Sequence, residues 1–350
     1  PGLGYGQLSI EADPGAATLP AADAEQAPDS GRGVKSPPPS DGPQRIENEF
    51  LTVEAEPADG TLTVTDRATG LVLRGVNRFV DGGDRGDEYN YCRPEEDKVV
   101  ATPAAPPIVK VVEDGPVRKT VHIFQVYRVP RSLRSDRRGR RSESSADPAA
   151  VVDLPILSRV TLYAGMRRVD VETTVNNQAQ DHRLRVHFPV PASVDHATTQ
   201  AHYFAARRPV PQIPAGQDTS DWVEQPVSAV PQRGWAEISD GQAGLLIANR
   251  GLPEVEFVAG SDHTVIALTL LRCVGWLSRD DMHCRRGHAG PGLPTPGAQC
   301  PGRHVFQYAL VPFSKTHAGF ENVARAQAEA FRVPLRAIAS GAHSGPLPPV

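Results

Sequence analysis

Two stretches of this sequence hold most of the residue types that could do chemistry. The first, Asp81 to Tyr91, reads DGGDRGDEYNY and sets carboxylates, an arginine and two tyrosines between glycines. The second lies within Leu270 to Pro312, where charged residues crowd ahead of the segment AGPGLPTPGAQCPG. Because glycine and proline at that density disfavour both helix and central strand, we expect a long charged loop between two strands. Functional sites are often built on such loops.

Paired carboxyl groups are the first chemistry that these stretches suggest, since glycoside hydrolysis uses one on each side of the scissile bond. The candidates stand beside arginines, which favour the ionised form, whereas a general acid needs a raised pKa. We therefore expect the carboxylates to cap turns and form ion pairs, and we assign no catalytic residue to this chain. They are Asp84, Asp87 and Glu88 in the first stretch and Asp280 and Asp281 in the second.

The elements that carry these loops have the patterns of a mostly β protein. From Ile46 onward, short alternating segments are separated by turn signals such as Asp59-Gly60. One short helix is predicted over Phe320–Phe331. Many strands with a single helix predict packed antiparallel sheets, a β-sandwich. Residues 191 to 233 lack apolar periodicity, and we expect a long excursion there, with strands resuming at residue 234.

Composition also divides the chain and excludes some classes of protein. The net charge of −4 argues against a general binder of nucleic acid or acidic membranes. Seven arginines lie between Arg128 and Arg141, but no aromatic residue is interleaved to stack a base, so we expect a solvated insertion. The predicted parts are a connector strand at 1–12, a flexible linker at 13–44, a β-sandwich domain at 45–335 with an arginine-rich insertion at 130–150, and a tail at 336–350.

The four cysteines indicate a reducing compartment. They are far apart and form no C-x-x-C motif, so we expect reduced thiols in a cytoplasmic protein. Cys284 and Cys300 flank the Gly/Pro segment, with His283 and His288 nearby, but this spacing fits no closed structural zinc pattern. No apolar run reaches the roughly 18 residues of a membrane helix.

Three segments resemble the C-terminal β half of bacterial glycoside hydrolase family 38 α-mannosidases. They are Asp81–Tyr91, NQAQDHRLRVHFP at Asn177–Pro189, and the stretch after Arg272 that includes Leu277-Ser278-Arg279. The resemblance implies a β-supersandwich of the galactose-mutarotase-like kind. It also implies a retaining enzyme whose zinc ligands, nucleophile and acid/base lie in an N-terminal domain that this chain lacks. The chain is then an inactive fragment, with that domain and an α-mannoside as its partners.

The same resemblance implies roles for individual loop residues. Tyr89 matches a tyrosine that contacts the sugar and Arg285 an arginine that does so, and Asp87, Tyr91 and Arg286 in the same loops are further candidates. The residues alone leave other interpretations open. Tyr89 could be a core tyrosine, Arg285 could pair with Asp280 or Asp281, and His182 and Arg183 could be inter-strand fixtures. The alternatives for the whole chain are a stand-alone carbohydrate-binding or scaffold module and an aldose-epimerase-like enzyme.

Overall fold

The computed structural model describes residues 44–140, 148–210, 218–315 and 320–334. All of them belong to one compact unit, Pro39–Pro334. The predicted connector at 1–12, nearly all of the linker at 13–44, the tail at 336–350 and residues 141–147 of the insertion lie outside the described residues. The boundaries drawn from the sequence therefore stay predictions.

The described residues form strands almost throughout, with one α-helix near the end. That helix, α1, spans Phe320–Arg332 and confirms the predicted helix to within one residue. No helix in the described ranges is long and apolar enough to cross a membrane. The strands are β1 Gln44–Glu47, β2 Leu51–Ala55, β3 Leu62–Asp66, β4 Val72–Val76, β5 Arg78–Gly83, β6 Ile108–Asp114, β7 Arg118–Pro130, β8 Val151–Tyr163, β9 Val169–Asn177, β10 His182–Val190, β11 His196–Gln200, β12 Ala205–Pro209, β13 Ala229–Pro231, β14 Trp235–Ser239, β15 Ala243–Asn249, β16 Glu254–Ala259, β17 Thr264–Cys273 and β18 Gly302–Ser314.

These strands form three antiparallel sheets. The largest has nine strands in the order β12-β11-β14-β15-β18-β9-β8-β7-β6. A five-stranded sheet, β13-β16-β17-β10-β5, and a four-stranded sheet, β1-β2-β3-β4, complete the set. Buried side chains from all three sheets share one continuous hydrophobic core. The predicted class, a mostly β antiparallel sandwich with one short C-terminal helix, is confirmed.

The helix covers the outer face of the nine-stranded sheet. In β15, Leu245 and Ile247 point into the main core, while Leu246 and Ala248 point the other way and pack with α1. Phe331 of α1 is buried in this second cluster. Because a strand sends alternate side chains to opposite faces, a strand buried on both faces must be apolar throughout, as the segment GLLIA is.

The expectation of a strandless excursion over residues 191 to 233 is wrong, because β11, β12 and β13 lie inside it. In β11, whose sequence is HATTQ, Ala197 and Thr199 are the buried positions. Small and polar residues at the inward positions carry little apolar signal, so period-two hydrophobicity did not reveal these strands. Their pairing with β14 and β16 is a property of the tertiary structure.

Three neighbouring strand ends position the loops of interest. In the five-stranded sheet, His182 at the start of β10 pairs with Gly83 at the end of β5 and with Cys273 at the end of β17. Antiparallel pairing therefore places these three ends at one edge of the sheet. The segments after Gly83 and after Cys273, which hold the two chemistry-rich stretches, start side by side.

A histidine in β10 should make stability depend on pH. Burial, together with nearby Arg185, lowers the pKa of His187 to about 3, and its buried Nε2 has no hydrogen-bond partner among the described residues. The folded state therefore holds this side chain neutral, and the unfolded state binds the extra proton below about pH 6.5. Stability should fall as the pH drops from about 7 to about 5, by up to about 1.4 kcal/mol per pH unit.

Urea unfolding of the wild type and of His187→Leu across this range is the measurement. The leucine variant should lose the corresponding part of the pH slope, because it has no proton to bind. His263→Leu is the matched control, since the His263 side chain is 40% exposed in the turn between β16 and β17. Equal slopes in wild type and His187→Leu would contradict the prediction.

Candidate functional site

The first stretch begins with a buried charge network at the end of β5. One oxygen of Asp81 accepts a hydrogen bond from Arg140 Nη2 at 2.5 Å, and the other lies 2.5 Å from His182 Nδ1. All three side chains are 0% exposed. His182 Nε2 lies 3.1 Å from Asn177 Oδ1. Burial alone would raise the pKa of Asp81, but Arg140 and His182 outweigh it and hold that pKa below its usual range.

The second aspartate, Asp84, is enclosed in the same way. Its carboxylate accepts hydrogen bonds from Arg272 Nε at 2.6 Å and from the backbone N–H of Gly86 at 2.8 Å. Full burial nevertheless raises the pKa of Asp84, against the effect of Arg272. The expectation that no carboxyl in these stretches has a raised pKa is therefore wrong. The side chain is 0% exposed, so it cannot contact a substrate.

The third aspartate, Asp87, binds Arg285. Arg285 Nη2 donates to Asp87 Oδ2 at 2.5 Å, and Asp87 also accepts from the backbone N–H groups of Tyr89, Asn90 and Arg279 at 2.9–3.0 Å. These donors outweigh the effect of burial and lower the pKa of Asp87. The alternative that Arg285 pairs with Asp280 or Asp281 is wrong, because those carboxylates face His288 and Arg279 instead.

Arg285 has all five of its N–H donors engaged. Besides Asp87, its guanidinium donates to the carbonyl oxygens of Gly287 at 3.1 Å and Arg279 at 2.9 Å, to Ser278 Oγ at 3.3 Å and to Asn90 Oδ1. The side chain is 4% exposed. Arg285 thus ties Asp87 to the backbone of the second stretch.

The arginine-rich insertion packs against the first stretch and hydrogen-bonds to it. Arg140 is fully buried against Asp81, and burial lowers the pKa of Arg137, whose Nη2 donates to the Arg85 carbonyl oxygen at 3.1 Å. Arg134 and Arg138 lie farther out, paired at 2.6 Å with Glu96 and Glu95 respectively. The expectation of a solvated insertion is wrong for Arg140 and Arg137, because the aspartate-rich stretch supplies them with buried acceptors.

The buried charge network forms the base of these loops. Two exposed aromatic side chains, Tyr89 and Trp222, form what we call the aromatic rim. Tyr89 is 54% exposed, and its ring lies against Gly290, where an added Cβ would come within 2.6 Å of the tyrosine hydroxyl. A third segment joins the rim: Gln225 N–H donates to the Cys284 carbonyl oxygen at 2.7 Å, and Trp222 nearby is 44% exposed. Trp222 was not among the residues predicted from the sequence, since an isolated tryptophan in a polar segment is a weak signal.

The other predicted residues belong to the same group of loops. Tyr91 is half-buried beneath the guanidinium of Arg183, 3.7 Å from its ring centre, and Arg286 is exposed and donates to the Ser220 carbonyl oxygen at 2.7 Å. Arg183 is buried and pairs with Glu256 at 3.1 Å. The structure thus brings all five predicted contact residues together, and their contact with a sugar stays a prediction.

With this geometry established, comparison with known proteins gives the family. The sequence model of the "Glycosyl hydrolases family 38 C-terminal domain" matches residues 46–283. The chain belongs to glycosyl hydrolase family 38. An α-mannosidase from Enterococcus faecalis V583 shares 29% identity and superposes with a TM-score of 0.66 over 81% of this chain and 31% of its own. Another solved structure, of an Enterococcus faecalis protein in family 38, gives 28% identity and a TM-score of 0.69, over 87% of this chain and 34% of its own.

The third relative is similar by sequence. A protein of Halalkalibacterium halodurans named "Putative mannosylglycerate hydrolase" is 27% identical over 318 residues, which are 87% of this chain and 32% of that protein. This family 38 chain therefore spans about a third of the length of the relatives it matches.

The zinc that the resemblance implies does not fit the part of this family 38 chain that the structure describes. No group of three or more His, Cys, Asp or Glu side chains among those residues could hold a metal ion. The thiols of Cys284 and Cys300, considered above for zinc, donate instead to the carbonyl oxygens of Tyr91 at 3.7 Å and Ala298 at 3.5 Å. We therefore derive no metal chemistry from this part of the chain.

The buried Asp81 network generates a stability prediction. Asp81→Asn keeps the shape of the side chain but leaves Arg140 in the interior without a counter-charge. Breaking a buried ion pair from one side destabilises a protein by about 3–5 kcal/mol. Asp281→Asn is the control, since the more exposed pair of Asp281 with Arg279 should contribute about 0–1 kcal/mol. Urea unfolding measures both variants, and similar losses in the two would refute a special role for the Asp81 network.

Proposed function

We propose that this chain is the C-terminal part of a zinc-dependent retaining glycosidase that hydrolyses terminal α-mannosides. The observation that carries the proposal is the exposed aromatic rim held on a base of buried ion pairs, in a family 38 chain. The names of the Enterococcus and Halalkalibacterium relatives support a mannosyl substrate. The zinc, the nucleophile and the acid/base would come from an N-terminal catalytic domain of the same protein.

Tyr89 is our choice for the sugar contact. A tyrosine presents an apolar ring face and one hydroxyl, which suits a pyranose ring and its hydroxyl groups. The half-exposed side chain can meet a ligand without rearrangement of the buried base. Glu88, the exposed neighbour of Tyr89, lies on the same rim, and its backbone N–H is held by the Trp276 carbonyl oxygen at 3.1 Å.

Arg285 and Asp87 act as positioning residues in this proposal. Each has its polar atoms engaged within the loops, so neither has a free group to offer a sugar. Their effect on a substrate would pass through the backbone from Tyr89 to Asn90, which Asp87 holds. Arg285 would therefore support the sugar contact through Asp87, whereas the resemblance implies that it makes the contact directly.

A binding module without catalysis is the second candidate. It is favoured by the burial of Asp84 and Asp87 and by the exposure of Tyr89 and Trp222, because aromatic faces bind sugars without any acid or base. The two candidates differ in what lies beyond this chain. A catalytic domain in the same protein favours the glycosidase.

The isolated chain should neither hydrolyse an aryl α-mannoside nor hold zinc stoichiometrically. The described residues offer no ligand set, and the carboxyl with a raised pKa is enclosed. The measurement is metal analysis after dialysis together with a turnover assay, with the complete enzyme as the positive control. One tightly held zinc per chain together with turnover would show that the chemistry lies in this part of the protein.

Tyr89→Phe in the complete enzyme should lower kcat/KM on α-mannosides by roughly 2- to 10-fold, since one neutral hydrogen bond contributes about 0.5–1.5 kcal/mol. Zinc content and Tm should not change. Tyr203→Phe is the matched control, because Tyr203 is 99% exposed at the turn between β11 and β12.

Arg285→Lys gives the contrasting result for a positioning residue. It should lower Tm as well as kcat/KM, because lysine cannot reproduce the bidentate guanidinium fork. Full activity in Tyr89→Phe would remove Tyr89 from the sugar site.

A further inference from the structure

Two cysteines meet at the base of the loop that carries Arg285. Cys273 ends β17 and is fully buried, and Cys300 lies two residues before β18 and is half-buried. Asn177 Nδ2 reaches both residues, at 3.4 Å from Cys273 Sγ and 2.9 Å from the Cys300 carbonyl oxygen. The Val274 N–H donates to the Ala298 carbonyl oxygen at 3.2 Å, which closes the loop beside the two thiols.

The two thiols have different chemical characters. The adjoining Cys273 thiol and the nearby His304 and His182 side chains outweigh burial and lower the pKa of Cys300 to about 6. The same contact and burial raise the pKa of Cys273 well above its usual value. The lower pKa and the greater exposure both favour Cys300 over Cys273 as the thiol that an oxidant reaches first. Thiolate character and access decide which cysteine an oxidant attacks.

The backbone at Cys300 also distinguishes this site. Cys300 follows the short 3₁₀ turn Pro296–Gln299 and adopts a left-handed conformation with φ of 47°. Residues other than glycine rarely adopt this conformation. Where they do, they occur more often in loops and at functional sites than in regular elements. His304 Nε2 lies 2.9 Å from the Cys300 carbonyl oxygen and holds this turn from the following strand.

We propose that Cys273 and Cys300 are a redox site, in which a peroxide oxidises Cys300 and Cys273 then forms an intramolecular disulfide with it. The Cys300 thiolate sulfur attacks one peroxide oxygen, the O–O bond breaks, and the released hydroxide takes a proton to leave as water. Cys300 is then a sulfenic acid. The Cys273 sulfur attacks Cys300 Sγ and displaces hydroxide, which takes the Cys273 proton and leaves as a second water. Two thiols and one peroxide give one disulfide and two waters.

The disulfide would join the two ends of the loop from Val274 to Gln299. That loop carries Ser278, Arg279 and Arg285, which hold the first stretch through Asp87. The bond would thus fix the base of the second stretch covalently to the sheet. The other two cysteines form a separate pair farther along the loops, where Cys284 Sγ lies 3.7 Å from the Tyr91 carbonyl oxygen, next to Cys92.

The test is peptide mapping of the full 350-residue chain after treatment with one equivalent of hydrogen peroxide and alkylation with N-ethylmaleimide. Trypsin places the four cysteines on different peptides, 86–98, 273–279, 280–285 and 287–303, because Arg93 precedes a proline and is not cleaved. We expect peptide 273–279 cross-linked to 287–303, with the link reversed by dithiothreitol. The oxidised chain should also unfold at a Tm higher by roughly 5 °C or more, since a closed loop of this length stabilises the fold.

Two variants make the result specific. The Cys92→Ser/Cys284→Ser double variant should keep the cross-link, because it leaves both partners in place. Cys300→Ser, a change at a half-buried position, should abolish the link and leave Cys273 as an alkylated thiol. The proposal is overturned if Cys300 is recovered only as sulfinic or sulfonic acid, if it links to Cys284 instead, or if it is alkylated no faster than Cys273 at neutral pH. None of these readouts depends on glycosidase activity.

Discussion

Three aspartates at three-residue intervals, each buried against a basic residue from a distant segment, hold the loops of this protein together. Asp81 binds Arg140, Asp84 binds Arg272 and Asp87 binds Arg285, at 2.5, 2.6 and 2.5 Å. Removing such charges from water is expensive, and only close geometry with further hydrogen bonds compensates for it. The glycines between the aspartates permit that geometry: a Cβ at Gly86 would come within 2.0 Å of the Asn90 carbonyl oxygen.

The ion pairs explain why long, polar loops can form a defined surface. Loops without such anchors order few of their side chains, since each ordered residue loses conformational entropy. In this structure the first stretch is tied to the insertion, to β17 and to the second stretch through Arg140, Arg272 and Arg285, respectively. The exposed rim with Tyr89 and Trp222 therefore rests on a base held together by three buried ion pairs. A preformed base of this kind lowers the entropy lost when a ligand binds.

The same arrangement separates binding from acid–base chemistry. The carboxylates that could have served a glycosidase have structural roles. Asp87 is ionised in an ion pair, and Asp84 has a raised pKa but is fully buried. Surface aromatics and polar groups are left for contact with a ligand. This division of roles agrees with a family 38 chain that spans about a third of its relatives, in which the chemistry would be supplied from elsewhere in the protein.

The sequence by itself determined the fold class, the hairpin turns, the helix at Phe320 and the two stretches that hold the site residues, because each is written in local periodicity or turn chemistry. It did not determine β11–β13, whose inward positions are small or polar. It also left the partner of Arg285 open and favoured a solvated Arg140. The ion pairs that formed, Asp87 with Arg285 and Asp81 with Arg140, join residues that are far apart in the sequence. Many arginines could satisfy the same carboxylate, so only the tertiary structure, by aligning the ends of β5, β10 and β17, decided which pairs are buried together.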